Sequence, residues 1–146
     1  MYVDANLRFS VEQSVVTADP VSTNIVDQAI ANRDAGTGRP LYLVTVVTTA
    51  FTDSGSNSTI TVALQGDSTS TITPDATRDL FIIPALAAAG DIFISPLHPR
   101  GNVEQYRYLQ VKYTLTNGDL TTGKVTTFLT QDPQAWVAKA NNYTIS

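Results

Sequence analysis

The chain has 146 residues, nine lysines and arginines, thirteen aspartates and glutamates, and a formal net charge of −4. This length fits one domain, and basic residues that are so few and scattered exclude the positive face with which proteins bind nucleic acid backbones. The absence of cysteine excludes disulfides, thiolate nucleophiles and cysteine-ligated metals. Because no signal sequence and no apolar run of about 18 residues is present, we expect a soluble protein made in a cytoplasm, without a membrane partner.

The first elements are a short arm and a strand. Residues 1–6 are too short and polar to form more than an N-terminal arm. From Leu7 to Val15, apolar or long side chains alternate with polar ones, so Leu7, Phe9, Val11, Gln13 and Val15 are predicted to share one face of a strand. The next segment, Val21 to Arg33, has apolar positions that fit a helical face, while STNIVD at 22–27 alone fits a short strand. Periodicity leaves both possibilities open.

Four further strands are predicted in the middle of the chain. DAGTGRP at 34–40 is typical of a turn and precedes LYLVTVVTT, a strand apolar on both faces that indicates a central position in a sheet. After a polar loop at 51–58, residues 59–65 alternate again as a strand. GDSTSTITPDATRD from Gly66 reads as a long surface connection, and strands are predicted at 79–83 and 91–97.

The clearest pattern spans Tyr106 to Gln131. Two alternating runs flank Asn117, Gly118 and Asp119, which tolerate the positive φ of a turn, so the unit is predicted to be an antiparallel hairpin. Its core face is assigned to Leu109, Val111, Tyr113 and Leu115 of the first run, and in the second run Val125, Thr127 and Leu129 share one face.

Together these segments predict one all-β domain over residues 1–132, followed by a polar tail at 133–146. The 21 threonines favour pleated strands, and about eight strands without a repeat suit a two-sheet antiparallel sandwich of the jelly-roll type. An immunoglobulin-like sandwich has a similar number of strands, but the cysteine and tryptophan spacing of true immunoglobulin domains is missing.

No pattern for catalysis, a cofactor or a metal stands out. His98, the single histidine, lies in a proline-rich loop without a nucleophile elbow. DSGSNS at 53–58 lacks the bidentate acid that a calcium loop places at its twelfth position, where Leu64 stands instead. GTGRP at 36–40 precedes a strand and not the helix that a phosphate cradle requires. We therefore expect a protein that is not an enzyme.

The aromatic residues suggest contact surfaces. Tyr42, Tyr106 and Tyr108 could form a stacking platform for sugars, which makes a carbohydrate-binding module the alternative function, although tyrosines on a sandwich are more often core edge or protein interface. Trp136 lies in the polar tail, where it either packs on its own domain or anchors a partner.

The chain resembles the capsid cement, or decoration, proteins of short-tailed bacteriophages. The resemblance spans roughly residues 10–132 and rests on STNIVD at 22–27, NRDAGTGRPLYLVTVV at 32–47, TITVALQ at 59–65, IPALAAAGD at 83–91, YRYLQVKYTL and GKVTTFLTQD. It implies a jelly roll in which STNIVD is a strand, a location on the outer surface of the virion, and a homodimer that bridges subunits of the major capsid protein.

Given this resemblance, we expect contact residues at two places. The tail around Trp136 and Tyr143, together with the arm Met1 to Leu7, holds apolar residues outside the predicted sandwich. Tyr106, Tyr108 and Lys112 are assigned to the strand face opposite the core and are predicted to mediate self-association.

Overall fold

The described part of the chain folds into two packed antiparallel sheets. The structure, a computed structural model, describes residues 4–17, 19–31, 40–98, 101–131 and 133. Sheet I has the strand order β1-β8-β3-β6 and sheet II the order β2-β7-β4-β5. A 3-10 turn at Ala5–Leu7 precedes eight strands: β1 Arg8–Ser14, β2 Val26–Asp27, β3 Tyr42–Thr52, β4 Thr59–Asp67, β5 Ala76–Ile83, β6 Ile92–Pro96, β7 Tyr108–Thr116 and β8 Thr122–Thr130.

This strand order is that of a jelly roll. Among the described strands, only β4 and β5 are neighbours both in sequence and in a sheet, and every other consecutive pair crosses from one sheet to the other. The prediction of an all-β, eight-stranded, two-sheet sandwich is therefore confirmed. In the segment that periodicity left open, the structure has the short strand β2 and no helix over the described residues 21–31.

The predicted hairpin at 106–131 is wrong. Both of its strands form, but β7 pairs with β2 and β4 in sheet II, whereas β8 pairs with β1 and β3 in sheet I. The connection reverses the chain through Asn117 and Gly118, both at positive φ, and then carries Leu120 into the core, where its N–H donates to the Val16 carbonyl. The two strands consequently face each other across the core and do not share a sheet.

The alternation predicted for the first strand holds only in part. Phe9 is fully buried as expected, but Val11 is 51% exposed, while Ser10, assigned to the solvent face, is buried. The cause is a distortion of the pairing with β8, whose register shifts twice near Glu12, a residue at φ +46°. Such a bulge turns the following side chains away from the face that strict alternation gives them.

The core lies between the sheets and combines apolar packing with a chain of hydroxyl groups. The Tyr113 hydroxyl, on β7, donates to Thr127 Oγ1 on β8 at 2.8 Å and lies 2.8 Å from Ser10 Oγ on β1, while Thr127 lies 3.0 Å from Thr45 on β3. Around these groups pack the large buried side chains Phe9, Leu43, Val47, Phe51, Ile60, Val62, Leu64, Ile83, Val111 and Val125.

Carboxylates organise two of the connections. Asp67, at the end of β4, is buried and accepts hydrogen bonds from the backbone N–H groups of Thr69 (2.7 Å) and Thr73 (2.8 Å). These and the Thr69 hydroxyl hold the pKa of Asp67 below its usual value although burial opposes them. In the β6–β7 connection the buried Glu104 forms an ion pair with Arg78 of β5 and accepts from the His98 N–H.

Candidate functional site

Exposed large apolar side chains concentrate along the two narrow sides of the sandwich. Each of the seven such residues in the described chain lies on an edge strand or in a segment beside one, and none lies on the inner strands β3, β4, β7 and β8. Single exposed apolar residues are ordinary, but this distribution places them in two groups on opposite sides. On the β1–β2 side they are Val11, Val21, Ile25 and Ile30, and on the β5–β6 side Ile82, Leu86 and Ile94.

The β1–β2 side contains two of the residues assigned to self-association. Tyr108 and Lys112 are partly exposed, and both belong to the outward set of β7. Tyr108 pairs in register with Asp27 of β2, and Lys112 forms an isolated bridge with Val21. Lys112 therefore adjoins Val21, and Tyr108 adjoins the β2 segment, on either side of which lie Ile25 and Ile30. We call these five residues the β2 surface.

A cation and an aromatic ring are held together at this surface. The Arg107 guanidinium binds Asp27 through two hydrogen bonds, from Nε at 2.9 Å and from Nη2 at 3.0 Å, and its Cζ lies 4.9 Å from the centroid of the Tyr108 ring. The Arg107 hydrogen bond lowers the pKa of Asp27 and raises that of Arg107, so both stay charged at neutral pH. Arginine and tyrosine are residues that protein interfaces favour.

An open depression lies at one end of the β2 surface. Its volume is about 590 Å³, and it is lined by Ala5, Asn6, Arg8, Thr23, Asn24, Ile25 and Asp27. Hydrogen bonds from Asn24 N–H and the Thr23 hydroxyl to the Phe9 carbonyl join this segment to β1. These hydrogen bonds connect the segment before β2 to the edge strand β1 beside the depression.

On the β5–β6 side, a pair of aromatic rings lies between the two edge strands. Phe81 of β5 and Phe93 of β6 stack with ring centroids 5.9 Å apart and an interplanar angle of 18°. Ile82 points outward from sheet II, because its neighbour Ile83 enters the core, and Ile94 points outward from sheet I. Leu86 lies in the connection between the two strands. We call these three exposed residues, which border this narrow side from both sheets, the β5–β6 surface. The sequence pattern predicted a strand at 79–83 but did not indicate that it lies at an edge.

Tyr106 does not share the outer face of β7 with Tyr108 and Lys112. It lies in the bend before β7 and packs against the core, where its ring covers Gly66. A Cβ placed on Gly66 would lie 2.9 Å from the Tyr106 ring and 2.7 Å from the Val103 carbonyl oxygen. The structure thus gives Tyr106 a packing role, and its predicted part in self-association stays a prediction.

Two predicted contact residues, Trp136 and Tyr143, lie outside the described residues, as do Met1 to Val3 of the arm. Of the arm, the structure describes Asp4, whose carboxylate caps the 3-10 turn by accepting from the Asn6 N–H at 2.9 Å, and the turn itself.

The tyrosines weighed as a sugar platform do not lie on one sheet. Tyr42 begins β3 in sheet I, whereas Tyr108 begins β7 in sheet II. The DSGSNS segment forms a turn in which Asp53 Oδ2 accepts from the N–H groups of Asn57 and Ser58. Within the described ranges, no three histidine, aspartate or glutamate side chains are close enough to hold a metal, and no helix could span a membrane.

Comparison with known proteins gives one family. None of the curated proteins matches the sequence significantly. A sequence model of the Bbp16 family matches residues 9–129, which is most of the chain and includes every described strand apart from the outermost residues of β1 and β8. The chain therefore belongs to the Bbp16 family.

Proposed function

We propose that the protein is a capsid cement protein, which binds the outer surface of a bacteriophage head as a homodimer and bridges subunits of the major capsid protein. The resemblance to cement proteins over residues 10–132 supports this proposal, and that span coincides with the 9–129 matched by the Bbp16 family. A protein of this kind acts by binding and needs no catalytic group.

The observation that carries the proposal is the pair of contact surfaces on opposite sides of one rigid sandwich. A bridging protein has to hold two neighbours at once, so it needs two separated surfaces on a body that does not bend between them. The β2 surface and the β5–β6 surface meet this need, because the first lies at the β2–β7 end of sheet II and the second lies beside the edge strands at the far end of the two sheets. A module that binds one small ligand would need only one concave site.

A twofold dimer formed through the β2 surface has the right geometry for bridging. In such a dimer the same patch is used by both copies, and each copy then presents its β5–β6 surface outward on the far side. One dimer consequently offers two identical contacts to two capsid subunits. Tyr108 and Arg107, held by Asp27, are the side chains best placed to anchor the dimer contact.

The free energy gained by burying the exposed apolar side chains indicates that each contact is weak on its own. Val21, Ile25 and Ile30 are each about half exposed, and burying the remainder contributes roughly 1 kcal/mol for each side chain. In the twofold dimer both copies contribute these side chains, about 6 kcal/mol in all, which only begins to exceed the lower end of the roughly 4–15 kcal/mol that association costs in lost freedom. Two linked contacts, however, gain about 10² to 10⁴ in affinity without any new interaction, so the assembled head is where the protein binds well.

Sedimentation velocity tests the dimer contact. We expect concentration-dependent dimerisation of the purified protein at tens of micromolar, and an increase of about tenfold or more in the dissociation constant with Val21→Asp or Tyr108→Ala. Ile82→Asp, on the opposite side, is the matched control and should leave the dimer intact. A protein that stays monomeric at every accessible concentration would contradict the dimer.

Occupancy of empty heads tests the capsid contact. Heads purified from the phage that encodes this chain should bind the protein, survive heating better with it, and lose it when Ile82 and Ile94 are both changed to aspartate. Thr49→Asp, at an exposed position of β3 away from both surfaces, is the control and should bind normally. Heads that never bind the wild-type protein would refute the proposed function itself.

A further inference from the structure

The connection between β7 and β8 contains a dipeptide with its own chemical reactivity. Asn117 is the only asparagine in the chain that is followed by glycine, and Asn117 and Gly118 are both exposed. Glycine has no side chain to shield its backbone nitrogen, so the nitrogen of Gly118 can approach the side-chain amide of the residue before it. The pair therefore supplies the nucleophile and the electrophile of a deamidation reaction.

The backbone at this dipeptide is open. Asn117 and Gly118 have φ angles of +70° and +108°, and the segment bends there without forming a hydrogen-bonded turn. Among the described residues, none accepts a hydrogen bond from the Gly118 N–H. The bend can therefore rearrange without breaking a backbone hydrogen bond from Gly118, and ring closure between Gly118 N and Asn117 Cγ requires such a rearrangement.

The Asn117 side chain joins two neighbouring connections. The β3–β4 and β7–β8 connections lie side by side, because β4 pairs with β7 and β3 with β8 at their adjoining ends. Asn117 Nδ2 donates to the Asn57 carbonyl oxygen at 3.2 Å, and the Ser58 hydroxyl donates to the Asn117 carbonyl oxygen at 3.4 Å. Asn57 and Ser58 also donate their N–H groups to Asp53 Oδ2. An amide at position 117 can donate to Asn57, whereas a carboxylate there has only acceptors.

We propose that Asn117 is a site of spontaneous deamidation in the folded protein, and that the reaction releases the β3–β4 connection from the β7–β8 connection. Gly118 N attacks Asn117 Cγ and gives its proton to a solvent base, and the Cγ–Nδ2 bond breaks as ammonia leaves. Water then opens the resulting succinimide at either of its carbonyl carbons, which gives aspartate or isoaspartate. The net reaction takes up water and releases ammonia, with no oxidation or reduction.

Both products lose the hydrogen bond to Asn57. The new carboxylate repels the Asn57 carbonyl oxygen, and in isoaspartate the main chain is also longer by one methylene. The change stays local, because the Thr52 and Thr122 hydroxyls remain joined at 2.7 Å at the base of the two connections. We therefore expect the sandwich to stay folded while residues 53–58 loosen. The inference concerns the isolated protein and does not depend on head binding.

Ageing of the purified protein at pH 8.5 and 37 °C, followed by digestion and mass spectrometry, tests the reaction. We expect aspartate and isoaspartate at position 117, with isoaspartate in excess, and little change at Asn57, which is exposed but followed by serine. The urea-unfolded chain, aged in parallel, is the control. Asparagine that persists at position 117 in the folded protein would overturn the proposal, and conversion in urea alone would show that the fold blocks ring closure.

Hydrogen–deuterium exchange tests the release of the β3–β4 connection. Asn117→Asp reproduces one product, and in this variant the amides of Asn57 and Ser58 should exchange severalfold faster than in wild type, while the amides of the inner strands keep their rates. Asn102→Asp makes the same change at an exposed position of the β6–β7 connection, so it is the matched control and should leave both amides unchanged. Equal exchange in wild type and Asn117→Asp would overturn the release, as would faster exchange throughout the sandwich.

Discussion

Replacement of Tyr113 with phenylalanine tests the hydroxyl chain that crosses the core. The residue is fully buried, and its hydroxyl links the two sheets by donating to Thr127 and by meeting Ser10 at 2.8 Å. Phenylalanine keeps the ring and therefore the apolar packing. Each partner keeps one other hydrogen bond, because Ser10 donates to Gln13 and Thr127 pairs with Thr45.

The expected loss of stability follows from these contacts. The Ser10 hydroxyl proton is used for Gln13, so the single proton of the Tyr113 hydroxyl makes one full hydrogen bond. A neutral hydrogen bond in a protein contributes roughly 0.5–1.5 kcal/mol, and since the substitution leaves neither partner without a hydrogen bond, we expect Tyr113→Phe to lower the free energy of unfolding by about 1 kcal/mol at pH 8.

Above pH 10 the difference in the free energy of unfolding between wild type and Tyr113→Phe should disappear. Burial raises the pKa of Tyr113 from its usual value of 10.0 to about 12, although the Ser10 and Thr127 hydrogen bonds oppose the rise. The unfolded chain therefore loses the tyrosine proton first, so stability is unaffected below pH 10 and falls between pH 10 and 12. At pH 11 the loss is about 1 kcal/mol, similar to what the hydrogen bonds contribute, so wild type and variant should be nearly equal there.

Urea unfolding of both proteins at pH 8 and pH 11 measures the two quantities. The other five tyrosines are present in both chains, so their effects cancel in the comparison, and Tyr108→Phe at the partly exposed surface is the matched control. A difference between wild type and Tyr113→Phe that is the same at both pH values would refute the reasoning about the buried hydroxyl.

Three further substitutions test the connections. Glu104→Gln removes the buried charge that pairs with Arg78, and should cost about 3 kcal/mol in urea unfolding; a loss no larger than for an exposed residue would contradict the pair. Asp67→Ala should speed proteolysis of the β4–β5 connection. Because the pKa of Asp67 is lowered in the folded protein, the proteolysis rate of wild type should approach that of the variant only as the pH falls below about 4. Gly66→Ala should cost about 1–3 kcal/mol by displacing Tyr106, and an unchanged midpoint would refute that contact.

The sequence was most informative about which side chains enter the core. Apolar alternation assigned Leu109, Val111, Tyr113 and Leu115 to the core face of one strand; the first three are buried, and Leu115 is partly buried. It placed Val125, Thr127 and Leu129 on one face of the next strand, and these three are buried. Period two follows from strand geometry alone, so it predicts the inward face of a strand without any knowledge of its partners.

The same alternation cannot predict which strands pair. A hairpin and a crossing between two sheets both leave alternate residues facing the core, so the pattern at 106–131 fits either. The feature that distinguishes the crossing from a hairpin is Leu120, an apolar residue in an otherwise polar turn. Its side chain enters the core, and β7 and β8 lie on opposite sides of that core. Among the described strands, the only pair adjacent in sequence and in a sheet is β4 with β5, where the prediction placed a surface connection, because Asp67 and not an apolar pattern organises that turn.

The surfaces proposed for assembly were predictable only where they lie on a regular inner strand. Tyr108 and Lys112 alternate with the core residues of β7, so their outward direction could be read from sequence. Val21, Ile25 and Ile82 look no different in sequence from core residues, and they are exposed because they lie at or beside sheet edges. Which strands form edges depends on the whole topology. In sheet I, β8 pairs with both β1 and β3, and β6 pairs with the free side of β3, so β6 is left at an edge. Contact surfaces of a jelly roll therefore follow from its strand order, and a change in pairing would move them even if every core residue stayed the same.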